Sequence, residues 1–324
     1  MRKLFIGVYL YCGFAAVAYI GHALAEQSGM SNEPISPIPL EMDLDERKVS
    51  LGEMLFHETR LSKNKKISCA SCHDLKNGGA VPGLQFSVPG VSGKAGQINI
   101  PTVYNSGFNF SQFWNGRAET LEDQVDGPIQ HPDEMGMSWK GALIELRKDK
   151  IYTDKFYEIY RSPPTEKAVK DSIATYERSL ITPNAPFDQY LRGDKSAITD
   201  LQKQGYSYFK NLGCASCHQG QNVGGNMHQN FGIVGNYFED RGGEITDSDL
   251  GRYTITGDED DKYIFRVPPL RNVEKTAPYF HDGSAETLEE AVDVMAKYQL
   301  GRDLKDEERA ALVAFLKSLS GEMP

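Results

Sequence analysis

Two hexapeptides hold most of the reactive side chains of this chain: S-C-A-S-C-H at 68–73 and G-C-A-S-C-H at 213–218. Four of the five cysteines lie in them, Cys69, Cys72, Cys214 and Cys217. Two disulfides are the ordinary outcome for such pairs in an exported chain. A zinc site wants four ligands close together, and a thioredoxin-like C-x-x-C has no need of a following histidine. Here each pair is followed directly by one, His73 and His218. C-x-x-C-H attaches c-type haem. Each thiol adds to a haem vinyl group, and the adjacent imidazole sits beneath the iron as proximal ligand. Two copies read as a dihaem c-type cytochrome, with two covalently bound haem c groups.

The elements that position these motifs come from a repeat. I-P-T-V-Y-N-S-G-F-N-F-S-Q-F-W-N-G-R-A-E-T-L-E from Ile100 aligns without gaps with V-P-P-L-R-N-V-E-K-T-A-P-Y-F-H-D-G-S-A-E-T-L-E from Val267, a shift of 167. Asn105 falls on Asn272, Phe113 on Phe280 and Gly116 on Gly283. The cysteine motifs are only 145 apart, from 69 to 214, so the second half carries about 22 additional residues. We place them around 233–262, a Gly- and Asp-rich stretch that reads as a surface excursion. Helical periodicity covers 46–56, 165–181, 198–212, 286–297 and 305–319, and no alternating strands stand out. T-D-L-Q at 199–202 reads as an imperfectly spaced capping box. The expectation is an all-α fold: two cytochrome c-like helical haem domains related by internal duplication, 26–190 and 191–324.

At the N-terminus, Arg2 and Lys3 precede an apolar run, and A-L-A at 23–25 offers small residues for cleavage after Ala25. This is the layout of a signal peptide over 1–25, which would remove Cys12 and deliver the chain to the periplasm. No other segment approaches the ~20 apolar residues of a membrane span. A formal net charge of −10 argues against nucleic acid as the main partner.

The copies differ where it matters. Met295 in the second aligns with Pro128 in the first. Methionine opposite histidine raises the potential of haem iron and suits electron transfer, whereas proline cannot ligate iron. The first haem then lacks the sixth ligand of the second, and one site moves electrons while the other binds a small molecule.

L-G-E-M-L-F-H-E-T-R-L-S, S-C-A-S-C-H-D, P-T-V-Y-N-S-G-F-N, Q-F-W-N-G-R-A-E-T-L-E-D-Q, F-R-V-P-P-L-R-N-V and M-A-K-Y-Q-L-G closely resemble the bacterial dihaem cytochrome c peroxidases, a family that includes MauG-type enzymes. The resemblance runs from about residue 44 to about 320. It implies reduction of hydrogen peroxide to water at the N-terminal haem, with electrons entering at the C-terminal haem from a small cytochrome c or cupredoxin. Carried over by motif, Glu134 is the distal acid–base, Gln124 its neighbour above the iron, and Trp114 the aromatic between the haems. Met295 is the expected iron ligand, where MauG-type enzymes carry Tyr. Asn99, Thr276 and Pro278 fall where the family binds calcium, and His281 near the C-terminal haem. Homodimers are expected from the family.

A carboxylate above the iron could carry the proton from the inner to the outer peroxide oxygen. One departure stands out. Many members carry an iron-ligating histidine in the loop before P-T-V, but residues 78–100 here contain none. The other candidates, His57, His131 and His228, read as ordinary surface residues, with His131 three residues from Glu134. The rival readings are a dihaem electron carrier, opposed by Pro128 and Glu134, and a MauG-like oxidase acting on a partner protein, opposed by Met295.

Overall fold

The first long helix, α1 (Glu46–Phe56), starts where Asp45 accepts the Arg47 N–H and buries Leu51, Gly52, Leu55 and Phe56 on one face. In this computed structural model, residues 33–323 apart from 82 and 87 are described. The expected signal peptide, with Cys12 and Ala25, lies outside them. Short helices α2 (Leu121–Gln124) and α3 (Asp126–Gln130) follow the first motif. Then come α4 (Trp139–Arg147), α5 (Lys150–Tyr160) and α6 (Glu166–Ser179). The helical pair 139–160 was not anticipated. Its apolar face, with Trp139, Leu146, Tyr152 and Phe156, joins Leu51, Leu55 and Ile173 in the first core.

The second half opens with α7 (Pro186–Leu191) and α8 (Asp200–Asn211). Thr199 and Gln202 form a full capping box at the start of α8, which corrects the expectation of imperfect spacing. The Thr199 N–H donates to Gln202 Oε1 at 2.8 Å, and the Gln202 N–H to Thr199 Oγ1 at 3.3 Å. Helices α9 (Tyr237–Arg241), α10 (Tyr253–Thr256), α11 (Leu288–Leu300) and α12 (Asp306–Lys317) complete the order. In both halves the helix before the cysteine motif packs on the last helix of that half through a glycine. A Cβ on Gly52 would lie 2.0 Å from Ser172 O, and one on Gly205 1.9 Å from Ala311 O. No larger side chain fits either crossing without moving a backbone.

Equivalent positions behave alike at the shift read from the sequence. Asn105 and Asn272 both take positive φ (59° and 57°), as do Phe113 and Phe280 (66° and 69°). Isolated bridges join Gln112 to Ala118 and Tyr279 to Ala285. Thr120 caps α2 as Thr287 caps α11. The paired asparagines converge on one hydroxyl: Thr182 Oγ1 accepts from Asn105 Nδ2 at 2.8 Å and Asn272 Nδ2 at 2.9 Å. All three residues are buried.

Two expectations need correction. A small antiparallel sheet exists, β1 (His228–Asn230) with β2 (Ile264–Arg266). The 233–262 segment is more than a surface excursion. Its Tyr237 and Phe238 are buried in a cluster with Phe231, Phe265 and Tyr298, and its Asp249 is 1% exposed. Gly and Asp content concealed two aromatics that anchor the stretch.

The described residues from Ile35 onward pack as one compact unit. The second core takes in Ile35 together with Phe187, Phe209, Phe315 and Leu319. Among the described residues no helix is long and apolar enough to cross a membrane.

Thr182→Val keeps shape but leaves two buried amides without their acceptor. Each unsatisfied group costs about 1–3 kcal/mol, so denaturant titration should show a loss of at least that size. A change under about 0.5 kcal/mol, the range of neutral surface substitutions, would show that the junction does not depend on this hydroxyl.

Candidate functional site

Each cysteine motif folds as one turn of 3₁₀ helix, Cys69–Ser71 and Cys214–Ser216. The turn brings the histidine back over the first cysteine: His73 N–H bonds Cys69 O and His218 N–H bonds Cys214 O, both at 3.0 Å. Both imidazoles then use Nδ1 on a backbone carbonyl. His73 Nδ1 is 3.1 Å from Gly79 O and His218 Nδ1 is 3.3 Å from Val223 O. A carbonyl only accepts, so Nδ1 carries the proton and Nε2 keeps its lone pair. Burial lowers the pKa of both rings, that of His218 to about 4. Both are therefore neutral at pH 7, as a ligating imidazole must be. None of the four cysteines is in a disulfide. Burial pushes Cys69 up to about 12 and Cys72 and Cys214 to about 11.

In the second half an apolar cavity of about 280 Å³ is lined by Cys214, Cys217, His218 and Met295, with walls that include Phe209, Leu270, Leu288 and Leu312. Met295 comes from α11 and leans on the Phe231–Tyr298 aromatic cluster. Two thiols, an imidazole and a thioether around one apolar space fit a c-type haem held by its vinyl carbons, with nitrogen and sulfur available to its iron.

In the first half the corresponding helix carries Pro128, on α3. Glu134 follows in the turn after α3, with its N–H on His131 O at 3.1 Å. Its carboxylate lies 3.8 Å from His131 Nδ1, and both side chains are about half exposed. Desolvation raises the Glu134 pKa, opposed by His131 and Arg117. Its charge in turn raises the Cys72 thiol, after the larger effect of burial. Gln124 ends α2, half-buried, and no hydrogen bond joins it to Glu134. The loop without histidine presses on Glu134 from outside: Val91 N–H donates to Glu134 O at 2.8 Å. A Cβ on Gly90 would lie 1.9 Å from Asp133 O. His57 stacks edge-on against Phe56, 5.6 Å between centroids. His228 packs on Phe110 and is held near pKa 4 by burial, Arg252 and Arg266.

Between the motifs, Trp114 Nε1 donates to Asn99 O at 2.8 Å, and its ring meets His281 edge-on at 6.4 Å. Both Trp114 and His281 line the second-half cavity. Asn99 and Pro278 are brought together, Asn99 Nδ2 donating to Pro278 O at 2.6 Å, and Thr276 lies two residues before Pro278. Sequence reasoning missed the group behind His281. Its Nε2 is 2.8 Å from buried Asp249, which also takes both Arg241 donors at 2.7 and 3.0 Å. Arg241 further bonds Asp282 at 2.8 Å, so one guanidinium bridges both carboxylates of this acid–histidine cluster. Nothing in the spacing points to Asp249, because it belongs to the additional segment and has no counterpart in the first half.

The fold and these sites define a dihaem c-type haemoprotein. The family model described as Di-haem cytochrome c peroxidase matches residues 46–196, and that of Cytochrome c matches 202–320. Cytochrome c551 peroxidase of Nitrosomonas europaea is 41% identical, with 91% of this chain and 86% of that protein covered. Cytochrome c551 peroxidase of Pseudomonas aeruginosa is 38% identical, covering 97% and 91%. Cytochrome c peroxidase Ccp of Escherichia coli K12 is 47% identical over 90% of this chain, which spans 62% of that longer protein. Among solved structures, a MauG-like protein associated with microbial copper homeostasis superposes with TM-score 0.77 at 29% identity, covering 90% of this chain and 94% of its own. The chain belongs to the bacterial di-haem cytochrome c peroxidase family.

Met295→Leu keeps bulk and removes sulfur. Both haems should stay attached, while the methionine–iron charge-transfer band disappears and the C-terminal haem potential falls. An unchanged band and potential in redox titration would assign that ligand elsewhere.

Proposed function

We propose that this chain reduces hydrogen peroxide to two waters at its N-terminal haem site, taking two electrons through its C-terminal haem site. The observation that carries the reading is the asymmetry between matched halves. Met295 lines a cavity with His218, whereas the aligned residue beside Glu134 is Pro128. When bound, the two haems supply an iron that can take peroxide and a second iron that stores an electron. His73 and His218 would each supply a nitrogen ligand to one iron, and Met295 would supply a sulfur ligand to the iron held by His218.

The chain's own part in the chemistry is proton movement. Glu134 takes a proton from one peroxide oxygen and delivers it to the other, which leaves as water when the O–O bond breaks; the two electrons and two protons from solvent convert the remaining oxygen to the second water. A carboxyl pKa raised by burial suits both halves of that task, because acid and base forms lie closer in energy at working pH. His131 and Arg117 hold the value from rising further. Gln124 would orient peroxide by hydrogen bonding. Trp114, touching Asn99 O and facing His281, is placed to relay electrons between the sites. MauG of Methylorubrum extorquens is a relative at 32% identity, but Met295 favours electron transfer over protein oxidation. The reading extends to a periplasmic, signal-cleaved homodimer fed by a small cytochrome c or cupredoxin.

The reading extends to calcium at Asn99, Thr276 and Pro278. The donors there are uncharged oxygens, of the kind calcium accepts. The Asn99 amide, turned by half a rotation, presents Oδ1 where Nδ2 now meets the Pro278 carbonyl.

Glu134→Gln should cut turnover by ~10²–10⁴-fold, the usual contribution of an acid–base group, while peroxide still binds. In the parent enzyme the acid limb of the pH–rate profile should lie above the ordinary carboxylate range, and the Gln variant should lose it. Turnover near the parent level would return Glu134 to a solvated loop acid.

Because residues 78–100 lack histidine, no ligand from this loop must leave first, and the site carries no conformational penalty before binding. The oxidised protein should show a high-spin EPR component and consume peroxide without pre-reduction. An all-low-spin spectrum, with activity only after pre-reduction, would sink the idea and point to His131.

A further inference from the structure

Arg266 sits on β2, 3% exposed, and burial alone lowers its pKa, to about 10. It is therefore charged at pH 7. No carboxylate lies within ion-pair distance of it among the described residues. Its Nη1 has no hydrogen-bond partner. Its neighbours are themselves basic or neutral: His228 is its cross-strand partner, and Arg252 lies beyond His228 at 3.3 Å. A buried guanidinium without a counter-charge is costly, and folded proteins keep one only where an anion meets it.

Two of its other donors are committed. Arg266 Nε donates to Phe113 O at 3.2 Å, and its backbone N–H to Trp114 O at 2.8 Å. The side chain is thus fixed at the wall of the cavity that holds Cys214, Cys217, His218 and Met295. Of all residues lining that cavity, Arg266 is the only Lys, Arg, Asp or Glu. A c-type haem brings two carboxylates on an otherwise apolar ring, and a guanidinium fork matches a carboxylate.

We propose that Arg266 binds a propionate carboxylate of the C-terminal haem, and that it ties the Trp114 backbone to the edge of that haem. Arg266 is a positioning residue: it raises the haem potential through its charge and holds the tryptophan against the same edge. The proposal rests on the haem placement argued above, so haem content is measured first. Two haems per chain in each variant keep that placement intact, whatever happens at Arg266.

The test uses the full holoprotein with Arg266→Gln and Arg266→Lys. Spectroelectrochemical titration should show the C-terminal haem potential falling in Gln, because losing a cation favours the ferric state. Lys should restore most of the shift, and the N-terminal haem should not move. Should the variants not fold, resonance Raman of the unmodified protein, half-reduced to select the C-terminal haem, serves instead. A propionate bending mode that shifts on H/D exchange is expected. A C-terminal potential unchanged in a folded, fully loaded Gln variant would overturn the proposal. So would a deuterium-insensitive propionate mode. A potential that tracks added chloride would also overturn it, assigning the site to an exchanging anion.

Discussion

One hydroxyl carries the junction of the two halves. Thr182 Oγ1 receives an amide from Asn105 and another from Asn272, at 2.8 and 2.9 Å. Buried amides must find acceptors, and both asparagines are held by left-handed backbone turns in the same place of each repeat. Asn105 also returns a bond, its Oδ1 accepting the Thr182 N–H at 2.9 Å. Asn222, four residues after His218, donates to Asn105 O at 3.1 Å. The loop that holds His218 through Val223 O is therefore anchored on the first half. A second set of bonds crosses between the halves at Asn99, which accepts from Trp114 Nε1 at 2.8 Å and donates its N–H to His281 O at 2.7 Å.

Against this common frame the halves diverge at a few side chains. The first replaces methionine by Pro128 and adds a turn that presents Glu134. The second adds a segment that supplies Tyr237, Phe238 and Asp249. The proposed division between peroxide chemistry and electron storage rests on those few side chains.

Much of this was legible in the sequence. The cysteine–histidine spacing pointed to c-type haem, the cofactor of the family the chain belongs to, and the gapless repeat set Asn105 against Asn272 and Phe113 against Phe280. Both members of each pair take positive φ. What escaped was long-range. Asp249 and Arg241 reach His281 only after the additional segment folds back, and a Gly- and Asp-rich composition hides its buried rings. The helices over 139–160 were overlooked although Trp139, Leu146, Tyr152 and Phe156 are spaced for one core. Arg266 lay within a recognised motif, yet its lack of a counter-charge is a property of packing and leaves no local mark.

The ends of the described chain are crossed between the halves. Ile35 lies in the second core, Arg271 Nη2 reaches Ser36 O at 3.1 Å, and Arg192 bonds Ile38 O. At the other end, Glu322 N–H bonds Pro183 O at 2.9 Å, and Met323 packs with Phe56 and Tyr104. Each half thus completes its packing with residues that the chain delivers from the far side. The halves are not interchangeable cassettes: a graft that took either one at the connecting segment would carry away its neighbour's lining and leave its own behind.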